Sequence, residues 1–153
     1  MKKAIMFIES EISNSLLTAG LPANLQGFQF LREAIMETLK HPELLQQLTK
    51  KLYPTIAALH KVNTAVVERS MRHVIDVAYK TQGLYGINEL LSAPVFSANE
   101  KPCNGNLIAL ITEIVRRNLY KMVATSSDAD AGERAQLIKE IQEFLELYYG
   151  DRP

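Results

Sequence analysis

The side chains able to do chemistry are few and scattered. Cys103 is the one cysteine, so no intramolecular disulfide can form, and the three histidines, His41, His60 and His73, fall on three different elements with no base evident beside that thiol. A Cys/His nucleophile pair has no support, and no Cys/His spacing fits a metal site. Asp128 and Asp130, followed by Gly132 and Lys139, approach a calcium loop, but the glycine comes one place early and the twelfth position is a lysine where a carboxylate must chelate. No metal, cofactor or enzymatic activity is expected. What remains is a dense charged set, Glu68, Arg69, Arg72, His73, Asp76 and Lys80, at helical spacing. Glu68 with Arg72, Arg72 with Asp76, and Asp76 with Lys80 lie four apart, and such pairs contribute only ~0.2–0.5 kcal/mol each. Taken alone, this face reads most simply as a solvated surface.

The elements that position this set are helices. Apolar residues recur every three or four places and no stretch alternates over the length of a strand, so an all-α fold is expected, a compact multi-helix domain. The spacing predicts helices from about Lys2 to Ala19, stopped by Gly20 and Pro22, from about Gln26 to Lys40, and from Pro42 to about Leu52. A short helix follows over Pro54 to Leu59, then the connector His60-Lys61-Val62-Asn63, then Thr64 as the cap of a helix from Ala65 to about Lys80 that turns Val67, Met71, Val74 and Ala78 inward. A short helix joined tightly to a longer one with an exposed polar face is the helix-turn-helix arrangement. Helix pairs are common, so the arrangement alone does not assign a function.

Beyond it, Gly83, Gly86, Pro94, Pro102 and Gly105 punctuate a loop region holding a short helix at Ile87 to Leu91, and helical periodicity resumes from Asn106 to about Met122. Thr125 to Asp130 reads as a linker. The last helix opens on Asp130-Ala131-Gly132-Glu133, with the spacing of a capping box, and sets Leu137, Ile138, Ile141, Phe144, Leu145 and Tyr148 on one face. The expected organisation is a domain over residues 1–124 and an additional C-terminal helix over 125–153, packed on the domain or at a dimer interface.

Composition narrows the class. With 153 residues, 47% hydrophobic and 22% charged, one globular domain is expected, and disorder or fibrous repeats are not. No apolar run reaches the roughly 18 residues of a membrane span, and Glu9 interrupts the N-terminal apolar stretch too early for a secretion signal. A cytoplasmic protein with no membrane partner is expected. Net charge is zero, 17 Lys and Arg against 17 Asp and Glu, which argues against a strongly basic binder of nucleic acid. That neutrality is uneven: residues 1–120 carry 13 basic against 10 acidic side chains, and residues 121–153 carry 4 against 7. A mildly basic body with an acidic tail would have modest affinity for phosphate and rely on a few specific contacts.

Four ordered blocks go further. Gly20-Leu21-Pro22-Ala23-Asn24-Leu25-Gln26-Gly27-Phe28-Gln29-Phe30-Leu31-Arg32-Glu33-Ala34-Ile35, then Leu52 to Ala57, Val67 to Tyr79, and Lys101-Pro102-Cys103-Asn104 with Leu107-Ile108-Ala109, together resemble the C-terminal DNA-binding domain of the stage 0 sporulation protein A family of response regulators. The resemblance implies an all-α effector domain whose recognition helix, residues 64–80, enters the major groove of double-stranded promoter DNA, with a homodimer on DNA and RNA polymerase as further partners. It places base readers at Glu68, Arg69 and Arg72, where Arg can donate to O6 and N7 of guanine and Glu can accept from N4 of cytosine. Thr64, Lys61, Lys80 and His73 are then candidates for phosphate contacts. Ala65 and Val66 depart from the family, which has Ser-Arg there, so the site recognised is expected either to differ or to be bound more weakly. No receiver domain is expected ahead of this one, which would leave phosphorylation control absent or supplied in trans. The alternative is a receiver-less interaction protein that modulates a full-length relative through its C-terminal helix.

Overall fold

The computed structural model describes residues 1–97 and 100–150. Helix α1 (Lys2–Thr18) buries Ala4, Ile8, Ile12 and Leu16 along one stripe. It ends in a Schellman turn: Leu21 N–H donates to the Leu16 carbonyl (3.1 Å), Gly20 N–H to the Leu17 carbonyl (2.9 Å), and Gly20 takes φ +82°. A Cβ on Gly20 would lie 2.4 Å from Gly83 Cα, so both the conformation and the close approach require glycine. Helix α2 (Gln26–Lys40) is central, burying Phe30, Leu31, Ala34, Ile35 and Leu39 against neighbours on several sides.

The segment 42–52 is not the continuous α-helix that its leucines predict. Pro42–Gln46 forms a 3₁₀ turn, Gln47 leaves the helical region at φ −138°, and Leu48–Leu52 forms a π-helical turn. No residue of the 3₁₀ turn is buried, and Leu44, Leu45 and Leu48 only lean against the core, so packing does little to enforce α geometry. Helices α3 (Tyr53–His60) and α4 (Thr64–Lys80) follow at the expected places. A 3₁₀ turn at Gly83–Tyr85 leads into α5 (Gly86–Leu91). Asn88 pins the loop after it, donating from Nδ2 to the Phe96 carbonyl (3.1 Å) and accepting from Phe96 N–H (2.6 Å).

Helix α6 (Asn104–Ala124) outruns the expected span at both ends. Its cap is Cys103, whose Sγ accepts from Asn106 N–H at 3.5 Å. Helix α7 (Gly132–Tyr149) packs on α1 and α6 and buries Ile138, Ile141, Phe144, Leu145 and Tyr149, while Leu137 and Tyr148 are half-buried at the margin. The predicted capping box does not form. Asp130 turns its carboxylate back, accepting from Ser127 N–H and Arg134 Nε, both at 2.9 Å, and α7 starts two residues later with Ala131 in the cap position. The bond to Ser127 and the Arg134 side chain hold the Asp130 carboxyl below its ordinary range.

Glu140, buried on α7, closes the base of the molecule. It accepts from the amides of Lys3 (3.0 Å) and Ala4 (3.3 Å), from Gln136 Nε2 (3.2 Å) and from the Met1 amino group (2.8 Å). A carboxylate at the start of α1 meets the positive end of the helix. The bond from the Met1 amino group, outweighing burial, lowers its pKa to about 2. Among the described residues, no strand occurs and no helix is long and apolar enough to cross a membrane.

Candidate nucleic-acid interface

Helices α3 and α4 meet through a three-residue turn with its own hydrogen-bonded geometry. Val62 N–H donates to the Ala57 carbonyl (3.1 Å) and Lys61 N–H to the Ala58 carbonyl (3.4 Å), a second Schellman turn, with Lys61 in the left-handed position at φ +54°. Asn63 then takes the cap of α4 in an extended conformation, its carbonyl accepting from Val66 (3.0 Å) and Val67 (3.4 Å). Thr64 is therefore not the cap expected of it. Its backbone is already helical, and no side chain covers the first amides of α4.

One face of α4 is committed to the core through Val67, Met71, Val74, Ile75 and Ala78. Its crossing with α2 is very close: a Cβ on Gly27 would lie 2.0 Å from the Ser70 carbonyl oxygen. Asn104, buried at the start of α6, donates from Nδ2 to the Glu68 carbonyl (3.1 Å) and the Tyr53 hydroxyl (3.3 Å). One amide thus ties together the beginning of α3, the N-terminal half of α4 and α6. Burial pushes the Tyr53 hydroxyl above its ordinary range, only partly offset by that bond. At the other end of α3, His60 Nε2 lies 2.5 Å from Glu33 Oε2 and the ring stands edge-on to Phe30 at 5.0 Å, fastening α3 to α2.

The opposite face of α4 is open. Arg69, Arg72, His73 and Lys80 are exposed, as is Lys61 in the turn, while Thr64 and Glu68 are half-buried. At about 100° per residue, Arg69, Arg72, His73, Asp76 and Lys80 fall within roughly a quarter of the helix circumference, with Glu68 at its edge. Glu68 pairs with Arg72, as the spacing predicts. Asp76 pairs with Lys101, from the segment ahead of α6, rather than with Arg72 or Lys80 along its own helix. The bond from Lys101 holds the Asp76 carboxyl below its ordinary range, with Lys80 and His73 adding smaller attractions.

The structure thus brings Glu68, Arg69, Arg72, His73 and Lys80 to one surface and places Lys61 and Thr64 at the N-terminal end of the same helix. Three residues that hold this surface, Gly27, Lys101 and Asn104, carry no cue in local periodicity. Each acts on an element remote in sequence, and only their inclusion in the recognised blocks marks them. The family described as sporulation initiation factor Spo0A, C terminal, matches residues 12–115, more than half of the chain. The matched span runs from the middle of α1 into α6, enclosing α3, the turn and α4 together with Lys101 and Asn104, and it leaves α7 outside. From this match the chain belongs to the Spo0A C-terminal family, a family of DNA-binding domains that regulate transcription in sporulation.

Proposed function

We propose that the protein is a sequence-specific regulator of transcription in which α4 lies in the major groove of promoter DNA. Arg69 and Arg72 donate to O6 and N7 of guanines, and Glu68 accepts from N4 of a cytosine. Thr64 and the uncapped start of α4, with Lys61, Lys80 and His73, hold backbone phosphates and fix the register. Residues 1–124 are the DNA-binding unit and α7 is an addition that braces α1 and α6 from behind. A second copy bound alongside on DNA and RNA polymerase are the further partners of this reading.

The observation that carries the reading is the division of α4 into two faces, one locked to α2 and tied by Asn104, the other presenting arginines to solvent. A helix of about 10–12 Å diameter fits a groove about 12 Å wide only if its outward side chains are free to reach base edges. The pair between Glu68 and Arg72, an internal competitor for one of the arginines, is 43% and 53% exposed at its two side chains, so opening it costs no more than about 0.5 kcal/mol. The apolar stripe of α7, which motivated the alternative of a partner-binding tail, is covered by α1 and α6 of the same chain.

Arg69→Ala and Arg72→Ala test the reading. Each is expected to cost about 1–3 kcal/mol on a cognate duplex and to relax preference at one base pair. If both variants lose affinity equally on all duplexes, α4 is not the reading element.

A further inference from the structure

Asp76 poses an electrostatic problem for the surface just described. It sits near the centre of the exposed stripe of α4, with Arg72 on one side of it around the helix and Arg69, Lys80 and His73 on the other, where an approaching duplex presents its phosphates. An uncompensated carboxylate there would repel DNA. The compensation comes from outside α4, since Lys101 reaches across to pair with Asp76. The pair stays on the surface, with the Lys101 side chain 40% exposed and that of Asp76 32% exposed. Two bonds fix the backbone that delivers Lys101: Asn104 is held to the Glu68 carbonyl, and Cys103 caps α6. From Glu68 to Asp76 is eight residues, ~12 Å along the helix, so residues 101–104 run beside the reading face for most of its length.

Resting on the reading of α4 as a DNA-binding helix, we infer that Lys101 is a further contact to the DNA backbone. The Asp76 carboxylate holds its ammonium at the rim of the face, where it meets a phosphate oxygen. Lys101 contributes affinity without sequence information, and it extends the interface from the helix-turn-helix to the segment ahead of α6. Asp76 limits that affinity by taking part of the charge of Lys101 and, more weakly, of Lys80 and His73.

The test is equilibrium binding of the full chain to a random-sequence duplex and to a duplex selected for tight binding, between about 50 and 200 mM salt. Lys101→Met removes the contact and exposes Asp76, so affinity should fall several-fold on both duplexes alike. The slope of log affinity against log salt should flatten by about 0.9, the value of one phosphate neutralised. Lys101→Arg should restore both. Asp76→Asn, nearly isosteric, should instead tighten binding about threefold at low salt, the effect of one charge at roughly 7 Å in water.

A purely structural latch would make Lys101→Met and Asp76→Asn change binding in the same direction, and that result overturns the assignment. So does an unchanged salt slope in Lys101→Met while the parent still discriminates between the duplexes. If neither Arg69→Ala nor Arg72→Ala reduces discrimination but Lys101→Met flattens the slope, the base-reading role of the α4 arginines fails and the phosphate contact stands. A parent that binds neither duplex overturns both.

Discussion

Replacing Gly27 by alanine probes the contact on which the orientation of α4 depends. The added Cβ would fall 2.0 Å from the Ser70 carbonyl oxygen, 2.6 Å from its carbon and 2.9 Å from Val74 Cγ1. The first two are helix backbone, so no rotamer change relieves the clash. The helices must separate by roughly 1 Å or more, and overpacking of this kind costs about 1–3 kcal/mol. Better helix propensity of alanine returns at most ~1 kcal/mol, and less in a first turn. The net loss is about 0.5–2.5 kcal/mol, and with about 2–4 °C of melting temperature per kcal/mol for chains of this size, Gly27→Ala should melt roughly 1–10 °C lower. Gly105→Ala is the comparison: its Cβ meets only Leu48 Cδ1, at 2.8 Å, a side-chain end that can move, so its loss should be much smaller. Thermal unfolding followed by circular dichroism measures both, and base discrimination measured on the same samples reports whether α4 has turned. Equal or greater stability in Gly27→Ala would refute the close crossing of α2 and α4.

Asn104→Ala leaves the Glu68 carbonyl and the Tyr53 hydroxyl without their shared donor and should cost about 1–3 kcal/mol in urea unfolding, with Asn104→Asp failing to rescue it. Lys61→Gly relieves the left-handed strain at φ +54° and should stabilise by about 0.5–1 kcal/mol. If Lys61 holds a phosphate, the same variant flattens the salt dependence of DNA binding by about 0.9, so stability and binding move in opposite senses. Because Glu140 has a folded-state pKa of about 2 against an ordinary 4.5, its stabilisation is complete above that ordinary value and disappears as pH falls toward 2. Denaturation midpoints across that range should fall more steeply for the parent than for Glu140→Gln. Glu11 behaves oppositely: burial raises its pKa, so its charged form opposes folding, and Glu11→Gln should raise the midpoint at neutral pH.

What was legible in the sequence follows from the range of the interactions involved. Helices whose apolar stripes meet a core, such as Ile8, Ile12 and Leu16 of α1 or Val67, Met71 and Val74 of α4, are written in their own periodicity and occur where it places them. Residues 42–52 have leucines at helical spacing, but only Leu52, at the far end, is deeply buried, so Gln47 could break the helix without violating the pattern. Capping departs from the sequence pattern at two helices for one reason: side-chain type marks a candidate cap, but the backbone conformation of one residue decides it. Thr64 is already helical, and Asp130 serves the turn before it. The charged side chains that can read DNA were legible because they share a helix with their core partners. Lys101 and Asn104 were not, since their partners lie 25 and 36 residues away in the chain.

The central claim is that α4 reads sequence through Arg69 and Arg72. Selection of bound duplexes from a random pool by the full chain, with Arg69→Ala and Arg72→Ala run in parallel, tests it most directly. The account predicts that the parent enriches a defined site containing guanines, and that each variant loses the preference at a single, different base pair while keeping the rest. Enrichment of no site by the parent, or the same site with the same preferences from all three proteins, would contradict it.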